Sequence, residues 1–313
     1  MSQDAARVST LPWESAWCRA NDLFYGSHAA EEHFTTSVTA GNEVARAIAD
    51  VIAREHARHG NDEFVVIDIG SGSGLLLEQL RARIAPEIHL IGVDRRERPT
   101  TLDARITWRR QVIDEDVEEI TGQDGQINGL VIAHEFLDDV PCDVVELDDS
   151  CQPRVVLVDP STGAEELGPR LSDSASRRCL DGDPVAMQSW LTAWWPPTRP
   201  GARREIGIRR DRVWRRLTRI PRSGAALAID YAHDRAERAA GLWDAGTLKG
   251  FASGRPRRAV PDGSVNITAH VALDALAQPG SRTIKQGQVL QGTTLASFPL
   301  GLGSFTWLFQ PIG

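Results

Sequence analysis

Long hydrophobic runs are missing from this chain. The longest purely apolar stretches are a few residues, such as Leu75-Leu76-Leu77 and Leu130-Val131-Ile132-Ala133, well below the ~18 to 20 that a membrane-spanning helix requires, so no membrane insertion is expected. The opening Met1-Ser2-Gln3-Asp4 leads into neither a basic nor an apolar segment before Trp13. A secretory signal is therefore not expected, and cytoplasmic residence is. Cysteine is scarce: Cys18, Cys142, Cys151 and Cys179 are too few and too scattered for a disulfide framework, none forms a Cys-x-x-Cys pair, and reduced thiols are expected. His134-Glu135 begins like a zinc-protease motif, but Asp138 stands where the second histidine would be, so no metal is expected.

What is present is an ordinary globular composition. The 313 residues hold 35 Lys+Arg against 43 Asp+Glu, a formal charge of −8, with 41% hydrophobic and 25% charged residues. Such a length allows two domains, or one core carrying a large insertion.

Patterning along the chain gives the organisation. In residues 42–57, Val44, Ile48, Val51 and Ile52 mark one face of an amphipathic helix, with Glu43, Arg46, Asp50 and Arg54 between them. After the breaker His59-Gly60-Asn61-Asp62, the run Phe64-Val65-Val66-Ile67-Asp68-Ile69 has the β-branched character of a buried parallel strand. It ends on glycine, Leu76, Leu77, Leu80 and Ile84 resume helical spacing, and residues 88–93 form a second strand ending on Asp94. Residues 106–112 predict a third strand, 115–121 a short helix and 127–133 a fourth strand. Alternation of this kind implies a parallel sheet with helices on both faces.

From about residue 141 the rhythm changes. Residues 143–147 and 155–158 suggest a hairpin, and 225–231 restore a core strand, so 141–223 is an insertion between the fourth and fifth strands. Residues 250–263 predict a mobile Gly/Pro/Arg-rich loop, 268–277 a helix and 304–309 a final strand.

The strongest chemical signal is Asp68-Ile69-Gly70-Ser71-Gly72-Ser73-Gly74. Glycines at a strand-to-helix turn let the backbone bend sharply and approach a ligand, and the helix start offers N–H donors, so a nucleotide-like ligand is expected. A dinucleotide fingerprint would need glycine at position 75, where Leu75 stands. The observed G-x-G-x-G, with an acid two residues before it, resembles motif I of class I S-adenosylmethionine (SAM) methyltransferases. On that resemblance Gly70, Ser71, Gly72 and Gly74 line the cofactor. Asp68 helps hold its amino group, Asp94 accepts from the ribose hydroxyls, and Asp114 either bonds the adenine amino group or caps a helix.

A closer resemblance rests on an ordered set of segments. These are His33-Phe34-Thr35-Thr36-Ser37-Val38, the glycine motif, and Ala133-His134-Glu135-Phe136-Leu137-Asp138-Asp139-Val140-Pro141, followed by Ile229-Asp230-Tyr231, Gly246-Thr247-Leu248, Ile267-Thr268-Ala269-His270-Val271 and Phe305-Thr306-Trp307-Leu308-Phe309-Gln310. Together they resemble the MidA-like methyltransferases, a family that includes the mitochondrial arginine methyltransferase needed for assembly of respiratory complex I. The chain departs from that pattern at His134, where the family usually has asparagine, and at residues 252–255, where a histidine is usual.

The resemblance implies an α/β, Rossmann-like class I methyltransferase fold. Its mostly parallel seven-stranded sheet would carry helices on both faces, a helical or lid region at 1–60, core at 61–140 and 224–313, and a substrate-side insertion at 141–223. It also implies SAM-dependent methyl transfer to a protein, at arginine. A small-molecule acceptor, or a SAM-binding assembly factor, are the alternatives.

Methyl transfer from a sulfonium needs alignment above all, and an arginine acceptor calls for carboxylates around its guanidinium. Glu135, just past the fourth strand, is the main candidate, with Asp138 and Asp139 within a turn of it. His270 and His233 are candidate bases, and His134, Tyr231 and Thr36 candidate substrate contacts. Trp13, Trp17, Trp190, Trp194 and Trp195 either form a lid or fill a core. Residues 199–222 carry ten arginines against Glu205 and Asp211, a net +8 against −16 for the rest of the chain. That segment is either a solvated helix face or a dock for an acidic protein. Nucleic acid is not expected, because no recognition motif accompanies the charge.

Overall fold

The computed structural model describes residues 10–27, 37–38, 40–60, 62–115, 119–120, 127–293 and 302–313. Two compact units emerge: one of residues 29–140, 209–234 and 270–313, the other of 1–28, 141–208 and 235–269.

The first unit is built on a seven-stranded sheet of β1 (Phe64–Ile69), β2 (His89–Asp94), β3 (Ile106–Arg110), β4 (Ile127–His134), β5 (Pro221–Asp230), β6 (Arg282–Lys285) and β7 (Thr306–Ile312). Their spatial order is β6-β7-β5-β4-β1-β2-β3. The five strands from β5 to β3 run parallel, and β7 is antiparallel to both β5 and β6. The sheet is thus mixed rather than purely parallel.

All six residues of β1 are buried, because the sheet is covered on both sides and each strand alternates its side chains between two cores. Phe64, Val66, Leu130, Ile132, Leu227 and Ile229 face one core, where they meet Val44, Ile48 and Ile52 of helix α1 (Glu43–His59) and Leu76, Leu77 and Leu80 of α2 (Leu75–Arg81). Val65, Ile67, Ile69, Val131, Ala226 and Ala228 face the other. There they meet Val213, Trp214 and Leu217 of α3 (Ile208–Leu217) and Leu273 and Leu276 of α4 (Leu273–Leu276).

Strand register fixes the functional edge. Ile69 pairs with Val93 on one side and with Ala133 on the other, and His134 pairs with Ile229. The carboxyl ends of β2, β1, β4 and β5 therefore lie side by side. The chain runs from β1 outward through β2 and β3 and returns on the opposite side as β4, which makes this edge a topological switch point.

The second unit contains a five-stranded sheet in which Leu11–Pro12, Pro153–Val158, Asp143–Leu147 and Arg203–Ile206 lie in that order, with Glu165–Arg170 also paired to Pro153–Val158. Every pairing in it is antiparallel. A three-stranded sheet orders Arg255–Arg257, Lys249–Ala252 and Asn266–Thr268. Trp13 and Trp17 pack with Val144, Val156, Val158 and Ile267 in its core. Trp195 lies buried against two equally buried guanidiniums, Arg204 at 5.6 Å and Arg238 at 5.7 Å. These tryptophans, and Trp190, are core filling.

Three expectations are corrected. Residues 268–277 are not one helix: only Leu273–Leu276 is helical, because Val271 N–H donates to the Tyr231 carbonyl and His233 N–H donates to that of Val271, holding the segment extended. Residues 250–263 are not a plain loop, since Lys249–Ala252 and Arg255–Arg257 form a hairpin. Ser253 and Gly254, at φ 51° and 71°, supply the left-handed pair that a two-residue turn demands. The arginine segment is not simply a solvated helix face, because Arg204 and Arg210 are buried. The expected helix at 115–121 lies largely outside the described residues. Among the described residues no helix is long and apolar enough to cross a membrane.

Trp214 is fully buried where α3 meets the sheet. Trp214→Ala is expected to cost about 3 to 5 kcal/mol of unfolding free energy, read from urea denaturation.

Candidate functional site

At the end of β1 the chain passes through Gly70, Gly72 and Gly74 at φ 70°, 61° and 80°, a left-handed region open to glycine at little cost. The turn is stapled to the neighbouring strand. Gly70 and Ser71 N–H donate to the Val93 carbonyl at 2.8 and 3.2 Å, and the Ser71 hydroxyl donates to the Asp68 carbonyl at 2.7 Å. Gly72 N–H donates to Asp94 Oδ2 at 2.8 Å. A Cβ at Gly70 would stand 2.7 Å from the Phe136 ring, and one at Gly74 2.6 Å from Leu102, so both positions need a bare backbone.

Two carboxylates flank the turn. Asp68 is buried, and burial, reinforced by the neighbouring Asp94 charge, pushes its pKa up to about 7. Asp94 closes β2, with Oδ1 accepting from Arg96 N–H and Nε at 2.9 and 3.0 Å. Asp114 is half-buried in irregular chain after β3.

The ends of β4 and β5 gather the other candidates. Glu135 adopts φ 50°, unusual for a side-chain-bearing residue, and its N–H donates to the Ile229 carbonyl at 2.8 Å. Its Oε1 accepts from Ser37 N–H at 2.8 Å and from the Ser37 hydroxyl at 3.0 Å. Burial dominates, and the Glu135 pKa rises to about 8. His134, beside it, is lowered to about 4 by burial and is neutral at physiological pH; its Nε2 lies 2.7 Å from the Ser37 hydroxyl.

Asp230 is fully buried at the end of β5. Its Oδ2 accepts the N–H groups of Leu137 and Asp138 at 2.9 and 3.2 Å, and its Oδ1 that of Tyr231 at 2.9 Å. Burial, reinforced by the neighbouring Asp138 charge, holds its pKa well above the ordinary carboxylate range. Asp138 is pushed up to about 6 by burial against the pull of Arg210. Arg210 spends its guanidinium on three carbonyls, donating to those of Val140, His270 and Asp138, each at 2.9 Å. Tyr231 stacks on His270 at 5.6 Å between ring centres and meets Phe305 edge-on at 4.1 Å. Burial raises the Tyr231 phenol further above its ordinary value.

Among the residues singled out from sequence, Asp68, Gly70, Ser71, Gly72, Gly74 and Asp94 stand together around the turn. Glu135, Asp138, His134, Tyr231 and His270 stand together at the adjoining strand ends. Phe136, packed over Gly70, joins the two groups. Asp139 follows half-buried in the Leu137–Asp139 turn, and the buried His233 lies with its ring 6.2 Å from that of His270. Thr36 lies outside the described residues. Sequence reasoning missed Asp230, Arg210 and Ser37. The first two sat unexamined in a quoted segment and in the arginine-rich stretch, and Ser37 inside the segment at 33–38.

A family model described as "Putative S-adenosyl-L-methionine-dependent methyltransferase" matches residues 47–290. No curated protein matches the chain. Among solved structures, a superfamily member from Burkholderia thailandensis bound to S-adenosyl-homocysteine is similar at a TM-score of 0.71 and 19% identity, over 96% of this chain and 88% of that one. A second superfamily protein from the same organism gives a TM-score of 0.69 at 19% identity, over 96% and 87%. Likeness at this identity concerns the fold.

The residues around the turn fit SAM. The bare backbone at Gly70 and Gly74 leaves a close approach open, Asp68 offers an acceptor for an ammonium, and Asp94 is a carboxylate that a ribose hydroxyl can reach by displacing the long 3.4 Å contact from the Arg96 guanidinium to Oδ2. SAM at ~100 times its dissociation constant is expected to stabilise the protein by ~2.7 kcal/mol, seen as a thermal shift. Asp94→Ala should raise the calorimetric Kd for SAM by ~10- to 100-fold, the worth of a hydrogen bond to a charged group.

Proposed function

This chain belongs to that family of S-adenosyl-L-methionine-dependent methyltransferases, and from this premise we propose that it methylates a protein acceptor in the cytoplasm, at an arginine side chain. The observation that carries the reading is the set of three buried carboxylates, Glu135, Asp138 and Asp230, at one sheet edge. Apolar or neutral acceptors would leave such a cluster uncompensated, whereas a guanidinium supplies both charge and donors. The ordered likeness to MidA-like enzymes supports the same acceptor.

The three carboxylates do not play one role. Asp230 has both oxygens committed to main-chain N–H groups, so it shapes the site. Glu135 is the acid left to meet the acceptor, with Asp138, which also takes main-chain hydrogen bonds, lending its charge beside it, and the stacked Tyr231 and His270 offer a planar surface suited to a guanidinium. When bound, SAM supplies a methyl group already activated on a sulfonium. The chain's own residues have three tasks: to hold the acceptor nitrogen in line, to keep water away and to take the proton that nitrogen sheds. Glu135 suits the last, because a carboxylate whose pKa stands at about 8 exchanges protons near working pH. A guanidinium arriving beside it favours the ionised form and so prepares the base.

The base must be ionised to act. Hence kcat/KM is expected to rise with pH and level off above about 8, and Glu135→Gln should lower kcat by ~100-fold or more with SAM affinity intact. Labelled methyl from SAM should appear as methylarginine in protein, identified by mass spectrometry after incubation with lysate. Label confined to small molecules would replace the protein acceptor with a small one.

A further inference from the structure

Glu135 is held from one side only. Ser37 donates to Oε1 twice, through its main-chain N–H at 2.8 Å and its hydroxyl at 3.0 Å, and among the described residues no hydrogen bond falls on Oε2. The Ser37 hydroxyl also lies 2.7 Å from His134 Nε2. A hydroxyl has one proton to give. With Glu135 ionised that proton goes to its carboxylate, and the contact with His134 then requires the imidazole to carry its own proton on Nε2 and donate it to the Ser37 oxygen. The result is a directed chain, His134 Nε2–H to Ser37 Oγ–H to Glu135 Oε1.

We propose that Ser37 is a positioning residue for the acceptor carboxylate. It fixes Oε1 of Glu135 by two hydrogen bonds, orders the His134 tautomer behind it, and leaves Oε2 to the incoming substrate nitrogen and its proton. The proposal rests on the acceptor-side reading of Glu135 given above.

The anchor is rigid enough for this task. Ser37 is fully buried. Its neighbour Val38 packs in the core beside α1, and the Val38 carbonyl accepts from the Gln79 side chain of α2 at 3.1 Å. A serine on a freely moving segment could not hold a carboxylate in one rotamer, whereas this one is buried and its neighbour is tied to α2. Ser37 also acts against burial: its two donors are what lower a Glu135 pKa that desolvation raises. The other groups facing the carboxylate are His134 beside it, Asp138 in the next turn, and Asp230 and Tyr231 at the end of β5, with Arg210 of α3 behind them. None of these is removed by changing Ser37.

The test reads Glu135 directly and needs no acceptor. Protein labelled with carbon-13 at the glutamate side-chain carboxyl is titrated by NMR, and Glu135→Gln identifies the signal. Ser37→Ala is expected to move the Glu135 midpoint upward by about one pH unit, the worth of one lost hydrogen bond, while SAM affinity by calorimetry stays unchanged. Ser37→Thr, which keeps the hydroxyl, should return the midpoint to within about a third of that shift of the parent value. Should Ser37→Ala fail to fold, Ser37→Cys keeps the shape with a weak donor and is expected to shift the midpoint in the same direction. Coincident midpoints for the parent and the variant lacking the hydroxyl donor would overturn the proposal, even if methyl transfer had fallen. A shifted midpoint without methylarginine in protein would leave the positioning role standing and remove the arginine acceptor instead.

Discussion

At the carboxyl ends of β4 and β5 the chain buries Glu135, Asp138 and Asp230 together. A carboxylate taken out of water is tolerated only where donors or opposite charge replace its lost hydration. The local backbone is arranged around that demand. Asp230 is met by three main-chain N–H groups, two of which belong to the short turn Leu137–Asp139. For the turn to point those N–H groups back at β5, the chain must reverse as soon as it leaves β4, and Glu135 takes the left-handed conformation that the reversal requires. Arg210 completes the arrangement by tying the carbonyls of Asp138, Val140 and His270 to a single guanidinium. One buried cation thus fastens the exit from β4 to the segment that carries His270, and its charge opposes the rise that burial imposes on Asp138.

What the sequence revealed and what it hid divide along the range of the interactions. The unit from β1 through the glycines to α2 and β2 was legible because each of its signals is local: a β-branched run, a turn that only glycine tolerates, an apolar stripe at helical spacing. The parallel pairing that sets Ile69 beside Ala133 then follows from topology. Residues 268–277 misled for the opposite reason. Their apolar spacing suits a helix, but Val271 donates its N–H to the Tyr231 carbonyl and accepts that of His233, joining segments about forty positions apart, and no local pattern records that. Glu135 could be picked out by its place after a strand. Ser37 could not, because its importance lies in two hydrogen bonds to a residue 98 positions away.

Charge gives the same lesson in another form. The ten arginines of residues 199–222 look like one basic surface when counted, yet the structure disperses them. Arg199 pairs with Asp244, Arg203 with Glu165, and Arg204 is buried beside Trp195. Arg210 serves backbone carbonyls, and Arg212 reaches Glu115. A guanidinium is the cation best able to do this, because its fork of donors can satisfy several carbonyls or a carboxylate at once while remaining charged. Much of the apparent polarity of the chain is therefore consumed inside each unit.

The same sheet edge holds two buried acids whose pKa values stand near neutrality, Asp68 at about 7 before the glycine turn and Glu135 at about 8 just past β4. Each is raised chiefly by burial, and each lies where a cation is expected: the ammonium of SAM at Asp68, and, on the proposed function, a guanidinium at Glu135. A buried carboxylate that is partly protonated in the free protein becomes an ionised one when a cation arrives, and the energy of that pairing is realised only in the complex. Binding on either side is thereby made selective for positive charge without a permanent anion exposed to solvent. Such an arrangement suits the proposed reaction, whose two ligands are both cationic yet have to be brought face to face.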